Sequence, residues 1–216
     1  MAIAPPSQRV LVLLGLNQGH SIRRSQVAGT LWPESREPAA LSNLRSALWK
    51  LGSLRDSLLE VTNEVLSFKV SIPIDIERHK ALARRLTESA SDAGLDHASP
   101  RLFDEDLLPG WGDAWLETER EAYRHLRLHA LETISHHRTM AGRFGEAIEA
   151  GLIAVSAAPF RESAHRAVIQ ALVAEGNRGE ALRRYQDLCE LFDTEFGVKP
   201  SFSVDQLSTG VGTAIS

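Results

Sequence analysis

The chain has 216 residues, of which 43% are hydrophobic and 24% charged, as in a soluble globular protein with room for two small domains. No apolar run approaches the ~18 residues of a membrane span, and a single cysteine excludes an internal disulfide. No small-residue cleavage site follows the apolar segment near the start, so we expect a cytoplasmic protein with no membrane partner.

The net charge of −4 conceals two parts of opposite character. Residues 1–52 carry six basic and two acidic side chains, a formal charge of +4. Residues 76–216 carry 16 basic and 22 acidic side chains, a formal charge of −6. This asymmetry indicates two domains, the first of which has enough positive charge for a few phosphate contacts and no more.

Two helices are predicted in the first 32 residues. Ser7 is a candidate cap for a helix through the apolar segment QRVLVLLGL, which ends at Asn17-Gln18-Gly19. Ser21 is a candidate cap for the segment RRSQVAGTLW, which Pro33 stops. The segment PESREPAA that follows is predicted to be a loop.

A third helix is predicted from SNLRSALWKL, residues 42–51, because its leucines recur at spacings of three and four. Its other side carries short polar and basic groups, a pattern that also fits the solvated face of an ordinary helix. We expect Trp49, at the flank of that side, to pack against the hairpin rather than along a sugar-phosphate edge. The leucine stripe consists of Leu41, Leu44, Leu48 and Leu51.

A β-hairpin is predicted from LLEV-TNE-VLSFKV, in which two short strands surround a polar turn and Leu66, Phe68 and Val70 alternate on one face. Three helices followed by a hairpin is the order of a winged helix-turn-helix, assigned here to residues 1–75. In such a domain the third helix lies in the major groove of DNA and the hairpin touches the adjacent backbone.

This arrangement assigns roles to the polar and basic side chains. Short hydrogen-bonding groups suit close approach to base edges, and basic groups reach guanine acceptors or phosphates. The predicted base contacts are Ser42, Asn43, Arg45, Ser46 and Lys50, and the predicted backbone contacts are Arg23, Arg24 and Lys69.

An internal repeat follows the first domain. The segments AGRFGEAIEA at 141–150 and EGNRGEALRR at 175–184 align at a spacing of 34 residues, with matching Gly, Glu and Ala positions. This period is typical of tetratricopeptide repeats, which stack pairs of antiparallel helices. Helices at 76–89 and about 112–139 are predicted to precede the repeats, in a second domain at 76–200.

Two less regular segments lie in the second half. DEDLLPGW is too apolar for a solvated linker, so Leu107, Leu108 and Trp111 are expected to fold against the repeat helices. Residues 201–216 are rich in Ser, Gly and Thr and are expected to form a flexible tail.

These segments resemble a known family. LLPGW…WLETERE, the repeats and EFGVKPS are similar to the bacterial transcriptional activator domain of SARP-type regulators. SIRRSQVAGTLWPES and NLRSALWKL resemble the second and third helices of the winged domain that precedes it, which is similar to that of OmpR-like response regulators. The small sheet that normally opens that domain is not found before the first predicted helix.

The resemblance implies a mainly α-helical protein that binds repeated promoter sequences, often as a dimer, and helps to recruit RNA polymerase or a sigma factor. The sequence contains no phosphate-cradling glycine motif, and we expect no cofactor and no metal. His125 and His129 have a helical spacing that suits a metal but lack further ligands, and Cys189 lies in an apolar stripe expected to be core, so an enzyme is not favoured. The alternative is an adaptor whose winged unit no longer binds DNA.

Overall fold

The computed structural model describes residues 3–17, 20–69, 72–88 and 98–209, and Val70 of the predicted hairpin lies outside this range. The chain divides into two compact units. The first consists of residues 1–78 and 112–119, and the second of residues 79–111 and 120–216.

Among its described residues, the first unit contains four complete helices and three short strands. The third helix begins five residues before the predicted start, because Glu37 and Pro38 are both favoured in a first helical turn. In chain order the elements are α1 (Pro5–Leu16), β1 (Ile22–Arg23), α2 (Arg24–Leu31), α3 (Glu37–Lys50), α4 (Ser53–Leu58), β2 (Leu59–Val61) and β3 (Val65–Phe68).

The leucine stripe of α3 faces the core of this unit, as predicted. Leu44, Leu48 and Leu51 are at most 4% exposed, and they pack with apolar residues of α1 and α2. Ser7 does not cap α1, whose cap position is Ala4. Its buried hydroxyl instead donates to the Ala47 carbonyl oxygen over 2.7 Å, tying α1 to α3.

The three strands form an antiparallel sheet in the order β1-β3-β2. Ile22 pairs with Leu66 and Arg23 with Val65, so the start of α2 is fixed beside the hairpin turn. Ser21 therefore does not cap α2, which follows directly on β1 with Arg23 in the cap position. Leu66 is buried in the core and Phe68 packs against it, as the predicted alternation of β3 requires, and the intervening Ser67 is buried as well.

A segment distant in sequence completes the first unit. Residues 112–119 include a turn of 3-10 helix at Ala114–Leu116, and the Trp115 ring packs against the core formed by α1–α3. The Asp113 carboxylate forms an ion pair with the Arg9 guanidinium of α1, with 2.8 Å between Oδ1 and Nε. The segment lies within residues 76–200, and nothing in its sequence pattern predicts this association.

The second unit consists of antiparallel helices, as the repeat pattern predicted. The helix at Phe144–Ala157 packs on the helix at Glu162–Glu175, which in turn packs on the helix at Arg178–Phe196. The helices at Asp75–Glu88 and Glu117–Met140 begin in residues assigned to the first unit. The helices are α5 (Asp75–Glu88), α6 (Glu117–Met140), α7 (Phe144–Ala157), α8 (Glu162–Glu175), α9 (Arg178–Phe196) and α10 (Val204–Thr209), with a 3-10 turn at Pro100–Phe103.

The 34-residue repeat corresponds to two identical turns between paired helices. Gly142 and Gly176 adopt φ values of 72° and 90°, which only glycine reaches without strain. The following residue donates its backbone N–H back across each turn, Arg143 to the Arg138 carbonyl oxygen at 2.8 Å and Asn177 to that of Leu172 at 2.9 Å. The repeat in sequence is therefore a repeat in backbone geometry.

Three arginines of α6 hold the irregular segment before it. Arg120 donates to the carbonyl oxygens of Leu107, Leu108 and Trp111, so the segment DEDLLPGW folds down as expected. The buried Arg127 donates to the Phe103 and Asp104 carbonyl oxygens at 3.0 and 2.9 Å, and the buried Arg138 donates to that of Ala98. These carbonyl groups thus gain charge-assisted partners.

Two expectations about the C-terminal region are wrong. Residues 201–207 are not a free tail, because Phe202 and Val204 are each 6% exposed and the Tyr185 hydroxyl donates to the Phe202 carbonyl oxygen. Cys189 is half-buried rather than part of the core. Within the described ranges, none of the helices combines the length and apolar character that crossing a bilayer requires.

Candidate nucleic-acid interface

One side of α3 is exposed along most of its length. The leucine stripe occupies the opposite side, so the remaining positions project away from the core. All five predicted base-contact residues lie on this side, as does Trp49. We call it the exposed face of α3; its residues are Ser42, Asn43, Arg45, Ser46, Trp49 and Lys50.

An open cleft of about 580 Å³ adjoins this face. It brings together three of the predicted contact residues, Arg23 and Arg24 at the start of α2 and Arg45 on α3. Residues of the hairpin turn form its remaining side. The rest of its lining consists of Ser25, Leu41, Asn63, Glu64 and Val65.

The cleft concentrates positive charge. Partial burial lowers the pKa of Arg24, and the charge of the neighbouring Arg45 lowers it further. An arginine remains protonated at any physiological pH, so the lowered pKa of Arg24 reflects mainly the cost of burying its charge, with a smaller contribution from repulsion by Arg45. An anion placed between them would relieve that repulsion. Glu64 adds one carboxylate at the rim of the cleft.

The hairpin turn is held by its own hydrogen bonds and by Arg24. The Thr62 hydroxyl accepts the backbone N–H groups of Glu64 and Val65 at 3.3 and 3.0 Å. Arg24 donates its backbone N–H to the Glu64 carbonyl oxygen at 2.8 Å, and its guanidinium reaches the Thr62 carbonyl oxygen at 3.3 Å. Arg24 therefore positions the turn as well as lining the cleft.

The structure does not bring Lys69 to this cleft. It follows β3, whereas the turn precedes that strand, a separation of about 13 Å at ~3.3 Å per residue. The Lys69 ammonium group donates a hydrogen bond to the backbone carbonyl oxygen of Asp56, a residue of α4. A backbone contact through Lys69 would therefore lie at a different part of the hairpin from the arginines.

Trp49 contradicts the expectation that it packs against the hairpin. Its side chain is 78% exposed and belongs to the exposed face of α3. The sequence also gave no indication that Ser25, Asn63 and Glu64 border the site. Their placement depends on the pairing of β1 with β3, and a two-residue strand has no periodicity to detect.

Comparison with solved structures identifies a related fold. Mycobacterium tuberculosis EmbR, solved in complex with a low-affinity phosphopeptide, superimposes with a TM-score of 0.75 over 98% of this chain at 17% sequence identity. The present chain spans 60% of the length of that protein. No curated protein sequence matches the chain.

A family profile matches more than half of the chain. Residues 74–211 match the bacterial transcriptional activator domain, in the region of the paired helices α6–α9. Together with the related fold, this match confirms the predicted resemblance to SARP-type regulators. The chain therefore belongs to the bacterial transcriptional activator domain family.

Proposed function

We propose that the chain is a sequence-specific DNA-binding regulator of transcription. The exposed face of α3 would enter the major groove, and Arg23 and Arg24 would contact the adjacent phosphates. Lys69 is assigned to a more distant phosphate. Under this proposal, Ser42, Asn43, Arg45, Ser46 and Lys50 contact base edges.

One observation carries the proposal: Arg45 of the exposed face and the two arginines of α2 line a single cleft. Burial and the neighbouring charge of Arg45 both lower the pKa of Arg24, so the charge of Arg24 is unfavourable in this setting. A duplex offers a guanine edge and phosphates at neighbouring positions, which matches cations from two elements.

The test begins with selection of bound fragments from a random duplex library by the purified chain. Gel-shift titrations at one fixed salt concentration then compare the parent with Arg45→Ala. A bidentate arginine–guanine contact is worth about 1–3 kcal/mol, so we expect affinity to fall by roughly 5- to 150-fold. Arg84→Ala is the control, because Arg84 is also exposed on a helix but lies on α5.

Both variants place alanine on an exposed helical position, so thermal unfolding should match that of the parent. Equal affinity of Arg45→Ala and Arg84→Ala for the selected duplex would contradict the base-contact role. Failure to enrich any motif would contradict sequence-specific binding altogether.

The activator domain suggests the next steps after DNA binding. We propose that it supports dimerisation or contact with RNA polymerase or its sigma factor, leading to activation of a gene cluster. Sedimentation with and without duplex tests dimerisation, and transcription from the selected site in a purified system tests activation. A duplex-bound chain that lowers transcript yield would instead be a repressor.

A second candidate function is an adaptor that binds proteins through its repeats. Phe160, Phe196 and Val198 of the second unit are each at least half exposed, and the rings of Phe160 and Phe196 lie 5.3 Å apart. Exposed aromatic groups are common in protein interfaces. Uniform, weak and salt-sensitive DNA retention would favour this adaptor over the regulator.

A further inference from the structure

Trp49 is the most exposed large hydrophobic side chain among the described residues, at 78%. Tryptophan is highly buried in most proteins because its large ring gains most from leaving water. Within the described part of the chain, its ring has no aromatic or cationic partner. An indole kept in water on a helix surface therefore calls for a partner outside the unit.

The position of Trp49 points to that partner. Ser42, Arg45, Ser46 and Trp49 are spaced at i, i+3, i+4 and i+7, so their side chains share one line along α3. Trp49 lies four residues beyond Arg45, about 6 Å further along the helix axis. The only large apolar group of the exposed face is thus aligned with the residue proposed to contact guanine.

We propose that Trp49 is a specificity residue that packs against the C5-methyl group of a thymine in the major groove. This inference rests on the proposed DNA-binding function. The methyl group is the apolar feature that a base pair presents in that groove, and phosphates offer an indole ring no comparable contact. A spacing of about 6 Å corresponds to roughly two base pairs at 3.4 Å each, counted from the guanine of Arg45.

The charge of the surroundings is consistent with this partner. Arg45 and Lys50 flank Trp49 on the exposed face, and the cleft with Arg23 and Arg24 adjoins it. An apolar protein surface would have to desolvate these cations without pairing them, which is costly. A duplex neutralises the cations and offers the methyl group in the same surface.

The experiment uses the duplex selected by the parent chain. Each thymine of the site is replaced in turn by deoxyuridine, which removes the methyl group and leaves every hydrogen-bonding group unchanged. Affinities are measured for the parent, Trp49→Ala, Trp49→Phe and the control Leu182→Ala. Leu182 is 49% exposed on α9, so the control removes a comparable apolar side chain remote in sequence from α3.

We expect one deoxyuridine position to weaken parent binding by about fourfold, the value for one buried methyl-sized group. Trp49→Ala should bind the methylated and unmethylated duplexes equally well, whereas Trp49→Phe and Leu182→Ala should retain the difference. Circular dichroism should show the same helix content in all four proteins, because both positions are exposed.

The outcomes separate the two proposals. If the parent enriches no duplex, the proposed function fails and this inference fails with it. If the parent binds a defined site but every thymine replacement affects Trp49→Ala as it affects the parent, DNA binding stands and the thymine contact is overturned. A parent that is insensitive to all deoxyuridine replacements overturns it equally.

Discussion

Replacing Gly151 by alanine should force the repeat helices α7 and α8 apart. A Cβ atom built at this position lies 2.6 Å from Val168 Cγ2 and 3.3 Å from the Val168 backbone nitrogen. Non-bonded carbon atoms prefer 3.5–4.0 Å, so the first contact is too short by about 1 Å. Val168 is 1% exposed and β-branched, so its side chain is restricted in the rotamers it can adopt.

Two opposing terms set the size of the effect. Overpacking of a core contact costs about 1–3 kcal/mol, whereas alanine is favoured over glycine in a helix by about 1 kcal/mol. The free energy of unfolding should therefore fall by about 0–2 kcal/mol. Gly145→Ala provides the matched control on the same helix, because a Cβ atom there meets nothing within 4 Å.

Both glycines lie on the same helix, so the difference between the two variants removes much of the propensity term and exposes the clash. We expect Gly145→Ala to be more stable than Gly151→Ala by about 1–3 kcal/mol in urea titrations followed by circular dichroism. Equal stability of the two variants would refute the close approach of α7 to Val168.

A double-mutant cycle with Val168→Ala tests the same contact from the other side. Val168→Ala alone leaves a cavity and destabilises the unit, but it also removes the Cγ2 atom that the Cβ atom of Gly151→Ala would strike. In the Gly151→Ala background its cost should be smaller by about 0.5–3 kcal/mol, the usual coupling between residues in contact. Additive effects would show that the two sites do not meet.

Two further predictions concern charge. Arg23→Ala should lower the slope of log affinity against log salt by about 1 between 50 and 200 mM, as expected for one lost phosphate contact, whereas Arg84→Ala leaves it unchanged; equal slopes would remove Arg23 from the interface. The pKa of Glu146 is lowered from 4.5, chiefly by its hydrogen bond from Arg143 and also by the charge of Arg138. A carboxylate whose pKa is lowered in the folded state stabilises the fold above pH 4.5, and this stabilisation is lost as the pH falls and the group is protonated. The urea midpoint of Glu146→Gln should therefore change less with acid than that of the parent. Parallel pH profiles of the two proteins would contradict this.

The sequence predicts helical elements well where two independent patterns agree. The leucine spacing of α3 placed its buried side correctly, because the 3.6-residue period follows directly from helix geometry. The 34-residue repeat also predicted paired helices, since Gly142 and Gly176 each end a helix at positive φ. Such local constraints do not depend on which elements meet in space.

Predictions failed where a residue type fits two local structures and where long-range packing decides the outcome. Pro38 was interpreted as part of a loop, yet proline is well tolerated in a first helical turn and α3 begins at Glu37. Gly151 looks unremarkable in sequence, and only the approach of Val168 gives it a role. Trp49 was expected to be buried on the average behaviour of its residue type, which says nothing about a surface that binds another molecule.

The candidate interface depends on geometry more than on total charge. Residues 1–52 carry a formal charge of only +4, which spread over a surface would attract DNA weakly. Pairing of Arg23 with Val65 in the sheet fixes the start of α2 beside the hairpin turn, and the buried leucines of α3 hold Arg45 in the same cleft. Because the sheet and the core place these cations, a change at Ile22 or Leu66 should weaken DNA binding without altering the charge of the domain.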